Sequence, residues 1–383
     1  MKTYLLAMAI MTLPWVKSCS ADSEINSDPF GISEEEALVE ERKKAADSVA
    51  TPSNPVEQDS TQIESIPTES ETGSEELPGV EPEVVPAPIP SNKSVEDIMI
   101  FPPDHPINID ISGHPVDANS ALIINNIGAD VGIFADFGSG TYKGAPIGIP
   151  YAVVGNDQPK VPITYRANSN SGNYGHQSEP GPMPIPLNAP VEGDFIQDWH
   201  AIAVDIDNGM LYELFNAEQV GDGWEASSAA VFNLNTTEYR PDGWTSADAA
   251  GLPIFPLLLR HKEIERGEID HAIRFTLQRD KIYEGYVHPA RHQVSGQKTP
   301  ELLPFGGRLR LRADFDISSY SQENQVILRA LKKHGLMLAD VGVNMYLKGE
   351  PNENWNNTDL RELRNVKVSD FEVVELGEIK SSN

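Results

Sequence analysis

Glu213 is a carboxylate set into an apolar pattern. The stretch from Trp199 to Phe215 reads WHAIAVDIDNGMLYELF, two apolar runs around Asn208-Gly209. That dipeptide favours a two-residue turn because both turn positions take positive φ. The expected pairs are Asp207 with Met210, Asp205 with Tyr212 and Val204 with Glu213. Side chains alternate along a strand, so Ile202, Val204, Ile206, Leu211 and Phe215 share one face with Glu213. A carboxylate there must be paired, protonated or set in a cleft, because a lone buried charge is too costly. Its pKa should rise in an apolar setting, which suits a general acid. Glu225, Asp242 and Asp248 are the candidate partners for a two-carboxylate glycosidase, and an inward salt bridge to an arginine is the structural alternative.

Further candidates follow downstream. VHPARH places His288 and His292 four apart with Arg291 between them. Pro289 argues against a helix interior, so the pattern is not the helical zinc motif of metalloproteases. Two imidazoles beside an arginine suit proton transfer near neutral pH, metal ligation or plain structural hydrogen bonding. GRLRLRADFDI puts Arg308, Arg310, Arg312, Asp314 and Asp316 on one strand face, and AIRFTLQ repeats the scheme with Arg274, Thr276 and Gln278. Such faces either receive an anionic ligand through forked guanidinium contacts or are solvated and laced with weak ion pairs. Trp244, presented by the Pro241-Asp242-Gly243 turn, offers a platform for a sugar ring, although core anchoring is the commoner use of tryptophan.

The elements that must position these groups are mostly strands. Strands are expected over 121–125, 132–135, 152–154, 161–165, 201–206, 210–215, 229–234, 272–278, 309–317, 336–339, 344–347 and 370–376. PGPMPIPLNAP (180–190) reads as an extended surface loop, since each proline removes a ladder donor. Ser321 to His334 is an expected helix with a serine N-cap, basic residues in its last turn and Gly335 as its stop. A shorter helix is expected to start near Ser246 and to continue irregularly around 255–265. The expected fold is mainly β: a single large β-sandwich, jelly-roll or concanavalin-like, with one or two helices and long loops. No Gly-x-Ser-x-Gly elbow, phosphate loop, dinucleotide fingerprint or His-Glu-x-x-His is present. Asp205 to Gly209 mimics the start of a calcium loop, but its glycine falls one place early, so the hairpin reading wins; no cofactor or metal is expected, with calcium an open alternative that the sequence does not indicate.

The segments LYELF, RPDGWTSADAAGLPIFP, HAIRFTL, YVHPARH, LRLRADFDIS, ILRALKKHG with LAD, and DFEVV resemble a family of uncharacterised secreted bacterial proteins. The likeness runs from Trp199 to Val374, about half of the chain. It implies no activity and no catalytic residues.

The chain has 383 residues and a formal net charge of −29, which argues against a nucleic-acid partner. From Ser20 to Met99 there are 20 acidic and 4 basic residues, a surplus of 16 negative charges. The one cysteine, Cys19, excludes an intrachain disulfide. It follows an apolar stretch too short to span a bilayer, and Val16-Lys17-Ser18-Cys19 resembles a bacterial lipobox, in which the cysteine is lipidated. The expected organisation is a lipoprotein signal peptide (1–18), an acidic Ser/Pro/Glu-rich disordered tether (19–95), a β-rich globular domain (96–378) and a tail (379–383). Together these features predict a monomeric extracytoplasmic lipoprotein at the bacterial cell surface that acts on polysaccharide, possibly an anionic one, as hydrolase or lyase. Glu213, His288 and His292 would be the acid/base groups, Arg274, Arg291, Arg308, Arg310, Arg312 and Trp244 the binding groups, and Cys19 the only link to the membrane. The alternative is a non-catalytic glycan-binding or surface-scaffold module of the same fold.

Overall fold

The computed structural model describes residues 94–166, 174–193 and 198–381. Cys19, the signal-like segment and nearly all of the expected tether lie outside them. Among the described residues strands outnumber α-helices seventeen to four, so the class is mainly β.

Ten strands build the two main sheets: β1 (Phe134–Asp136), β2 (Ala152–Val154), β3 (Ala201–Asp205), β4 (Met210–Phe215), β5 (Ser228–Asn233), β6 (Ile273–Leu277), β7 (Arg308–Leu311), β8 (Leu336–Val341), β9 (Tyr346–Lys348) and β10 (Phe371–Val373). The smaller sheet runs β5-β4-β3-β2 and the larger one β1-β9-β6-β8-β7-β10. In the larger sheet β1/β9 and β6/β8 are parallel, and the remaining neighbours are antiparallel.

Alternation decides where the core sits. Ile202, Val204, Ile206 and Leu211 join Ile273, Phe275, Leu309, Leu336 and Leu338 of the larger sheet in the main cluster. The opposite face of the smaller sheet carries Ala201, Ala203, Leu214 and Ala229, small enough for Trp224 to pack beside them in a second cluster. Both faces of β3 are therefore buried. Helix Gln322–Lys333 contributes Val326, Ile327 and Leu331 to the main cluster. Its N-cap is Ser321, whose hydroxyl accepts from Asn324 N, and Gly335 follows at φ +71, both as expected.

Several local expectations need correction. The hairpin register is shifted by two: Asp205 pairs with Met210, Ala203 with Tyr212 and Ile202 with Glu213. The cause is the Asp205 carboxylate, which accepts from the backbone N–H of Asp207 (3.2 Å) and Asn208 (3.1 Å) and so stabilises a longer loop. A shift of two preserves the faces, so Glu213 still points the expected way. Residues 121–125 are not a strand but part of helix Ser120–Ile127, which buries Ser120, Ile123, Ile124 and Ile127. The β-branched run hid a helical spacing. The strand expected over 309–317 stops at Leu311, and the face proposed for Arg312, Asp314 and Asp316 dissolves into turns. The proline-rich segment 180–190 is extended but does not lie on the surface. Met183 and Ile185 are buried in the second cluster, where the Ile185 carbonyl accepts from Trp224 Nε1.

Candidate active site

The parallel pair β6/β8 ends in a cavity of about 150 Å3. Carboxyl ends of parallel strands are natural ligand sites, because loops diverge there. Arg274 and Thr276 alternate on β6 and both line the cavity. Asp340 reaches the same face through an irregularity. Phe275 pairs with Leu338 but Thr276 pairs with Asp340, leaving Ala339 as an extra residue. Strict alternation would point Asp340 to the opposite side, and the bulge re-aims it. The extra residue is also tied down, since its carbonyl accepts from Ala250 N at 3.0 Å.

Asp248 comes from the loop Thr245–Gly251. Ser246 Oγ accepts from Asp248 N (2.9 Å) and donates to the Leu252 carbonyl (2.5 Å), while Thr245 Oγ1 donates to the Asp248 carbonyl (3.1 Å). Gly251, at φ +71, closes the loop where a Cβ would meet the Trp244 carbonyl at 2.5 Å. Arg274 is 1% exposed; its Nη2 donates to Asp248 Oδ1 at 2.9 Å and lies 3.6 Å from Asp340 Oδ2.

Two carboxyls facing one guanidinium in a buried place cannot both ionise cheaply. Burial, then the Asp248 carboxylate, pushes Asp340 well above the usual carboxylate range, against the pull of Arg274. Burial also raises Asp248, and Arg274 opposes it. Asp248 Oδ2 finds no donor among neutral or cationic neighbours. A proton held on Asp340 and shared with Asp248 supplies that donor, in keeping with their side-chain hydrogen bond. Asp198 also lines the cavity and keeps contact with solvent. The protein crowded around it, then the nearby Asp340, pushes it up to about 6.

Beside this group stands a buried ion pair. His200 Nδ1 lies 2.5 Å from Glu192 Oε2, and Nε2 lies 3.0 Å from the Ala247 carbonyl. Both neighbours only accept, so both ring nitrogens carry protons. Burial disfavours the charge, but Glu192 outweighs it and holds His200 at about 9. Burial likewise works against the Glu192 charge, and His200 brings its pKa below the usual value. The pair anchors the 245–248 loop from below. Lys348 lies 2.7 Å from Asp136 and 3.8 Å from Glu192 at another wall. Tyr174, Phe215 and Tyr346 supply aromatic surface.

Of the residues singled out in the sequence, Asp248, Arg274, Thr276 and His292 line this cavity. His292 Nδ1 donates to the Ala249 carbonyl at 2.8 Å, which leaves the lone pair on Nε2. Burial lowers its pKa, so it is neutral near pH 7. The others go elsewhere. Glu213 is fully buried but does not line the cavity, and it meets no arginine. Its oxygens accept from Ile254 N (2.9 and 3.0 Å) and Phe255 N (2.9 Å), capping the 3-10 turn Phe255–Leu257. Burial pushes it up to about 7, against those two backbone N–H groups. His288 is exposed and sits edge-on to Tyr239 at 4.7 Å. Arg291 lies over the same ring and pairs with Asp242 at 2.6 Å. Trp244 packs against His176 and Arg240. Trp224 and Trp355 are core anchors.

Arg308 and Arg310 are buried and spent on the chain itself. Arg308 donates to the carbonyls of Pro106 (2.8 Å) and His334 (2.6 Å). Arg310 donates to those of Ser112 (3.0 Å) and His114 (2.9 Å) and pairs with Glu372. They staple segment 106–114 to β7 instead of reading a ligand. Arg312 is exposed beside Asp314. The groups that sequence reasoning missed are Asp340, Asp198, Glu192 and His200, with Asp248 weighed only as a partner of Glu213. A signal was available: TSADAA, HAIRFTL, the end of YVHPARH, and LAD, quoted above for their likeness to secreted proteins, all meet at the cavity.

Among the described residues no group of three side chains is placed to hold a metal ion, and no helix is long and apolar enough to cross a membrane. Comparison with protein-family models, with curated proteins and with solved structures found no match.

Proposed function

We propose that the cavity is the active site of a polysaccharide-degrading enzyme that cleaves a glycosidic bond by acid/base catalysis. Asp340 is the general acid, Asp248 and Arg274 set its proton, and neutral His292 or Asp198 is the base. The observation that carries this reading is the buried Asp248–Asp340 pair under Arg274, where burial and the neighbouring carboxylate push Asp340 well above the usual carboxylate range: a carboxyl raised in this way is suited to protonate a leaving oxygen. The charge of the lining supports a neutral glycan over the anionic one expected from the arginine-rich strand. Asp136, Glu192, Asp198, Asp248 and Asp340 outnumber Arg274, Lys348 and His200. The aromatic walls suit the apolar faces of sugar rings.

The same proposal places the protein outside the cytoplasm on a lipidated Cys19, where it would meet polymers too large to enter a cell. The support is the lipobox-like sequence around Cys19. A sandwich-like architecture belongs to this reading as well, supported by the two main sheets burying facing sides in one core. The parallel pairs of the larger sheet give less support to the jelly-roll or concanavalin connection.

A second reading has one observation in its favour: Asp248 and Arg274 already pair with each other, as they would in a non-catalytic glycan-binding module. Product assays on neutral and anionic polysaccharides separate the two. The enzyme releases reducing ends, with unsaturated ends in addition if the cleavage is an elimination. Activity is lost in Asp340→Asn, and in His292→Ala or Asp198→Asn according to which of the two is the base. Saturable glycan binding with no product from any polymer, unchanged in these variants, supports the module and defeats the enzyme.

A further inference from the structure

A larger hollow, about 410 Å3, lies at the opposite end of β6 and β8, lined by His271 and His334 just before those strands begin. Its walls come from the N-terminal strap, helix His261–Arg266 and the end of helix Gln322–Lys333. We propose that it is a second binding site, for a small neutral hydroxylated ligand such as a saccharide unit, held by His334, Arg260 and Glu96.

Each of these three residues lines the hollow and keeps one buried polar atom that no group among the described residues satisfies: His334 Nε2, Arg260 Nε and Glu96 Oε1. His334 is 2% exposed and Arg260 3%. Their chemistry is fixed by the bonds they do make. His334 Nδ1 donates to the Ile109 carbonyl at 3.0 Å, so the opposite nitrogen is an acceptor. Arg260 gives its Nη1 to the carbonyls of Phe255 and Leu258 and its Nη2 to Glu263, which leaves Nε–H as a donor. Glu96 turns its other oxygen toward Arg266 at 3.6 Å. A ligand that reached these atoms from the hollow would meet one donor and two acceptors, and buried polar groups left without partners are costly.

The cationic groups around it are already matched, and Asp110 accepts from Ser112 N at 2.8 Å. Glu263 is held by Arg260 and His271, Arg266 by Asp270, and Lys333 by Glu268 and Asp270. An anion would lose its hydration without a free cation, whereas hydroxyls donate and accept at once. Ile98, Ile100 and Phe101 form an apolar wall facing these groups. A ring with a C–H face and a hydroxyl edge matches both sides. This site shares no lining residue with the first cavity.

The test is saturation-transfer NMR of the full chain with glucose, xylose and N-acetylglucosamine, each titrated to saturation. The expected result is binding that weakens by roughly tenfold or more in both His334→Leu and Ile98→Trp. Ile98→Trp decides, because Ile98 is only partly buried and its substitution fills the hollow from the rim. Affinity retained in Ile98→Trp overturns the proposal, whatever His334→Leu does. So does the absence of a saturable signal from all three sugars, the behaviour of a hollow that holds water alone. An inactive first cavity leaves these outcomes unchanged.

Discussion

Arg274 and Arg310 arise from the same kind of sequence, an arginine alternating with apolar residues on a strand, and both end up buried in one sheet, two strands apart. Arg274 meets Asp248 and Asp340 at the end of a parallel pair, where loops diverge and leave a cavity. Arg310 meets Glu372 on the neighbouring strand and the carbonyls of a crossing segment, which fill its donors completely enough to leave no room for a ligand. A guanidinium surrounded by backbone carbonyls is a structural staple. One surrounded by carboxyls beside a hollow tunes protons.

That contrast can be broken in order of expected effect. Asp340→Asn should lower glycan cleavage by roughly 100-fold to 10,000-fold while binding persists, read as kcat from reducing-end release; an unchanged kcat removes Asp340 from the chemistry. Arg274→Met should cost about 3–5 kcal/mol in urea unfolding near pH 7, because it strands two buried carboxyls. The loss should shrink at low pH, where both are protonated and need no cation. Arg310→Ala should cost about 2–4 kcal/mol but leave kcat per folded molecule unchanged. A loss of kcat without a loss of stability would reverse the assigned roles.

Glu213 supplies a subtler test. Its folded pKa, about 7, lies above its ordinary value of 4.5, so the folded state binds that proton more tightly than the unfolded one. The resulting stability is fully present below about pH 4.5 and is lost as pH rises through about 7. Glu213→Gln should remove a slope on the order of 1–3 kcal/mol over that window, with little effect on kcat. A parallel curve for the variant would mean that Glu213 stays ionised throughout. Arg312→Ala, at an exposed pair, should change neither stability nor activity measurably.

The sequence disclosed the faces better than the partners. Period-two alternation placed Glu213 with Ile202 and Leu211, and Arg274 with Thr276, because both faces of each strand obey one rule. It missed the hairpin register because Asp205 folds its own carboxylate over the turn. It missed Asp340 because alternation was broken one residue earlier. Arg308 and Arg310 were legible as arginines on a strand, but their acceptors come from Pro106 to His114, far away in the chain. No local pattern reports which carbonyl will cross a given side chain. His292 was found and His288 beside it went to the surface, since a four-residue spacing fixes nothing about a loop that turns between them.

Ala339 has a consequence of its own. The working carboxyl faces Arg274 because the kink absorbs one residue, not through any special chemistry of the alanine. Deleting that single methyl-bearing residue would set Asp340 directly after Leu338, still opposite Thr276, so the carboxyl would keep its side. What would go is the tie from the Ala339 carbonyl to Ala250 N, and with it one hold on the loop that carries Asp248.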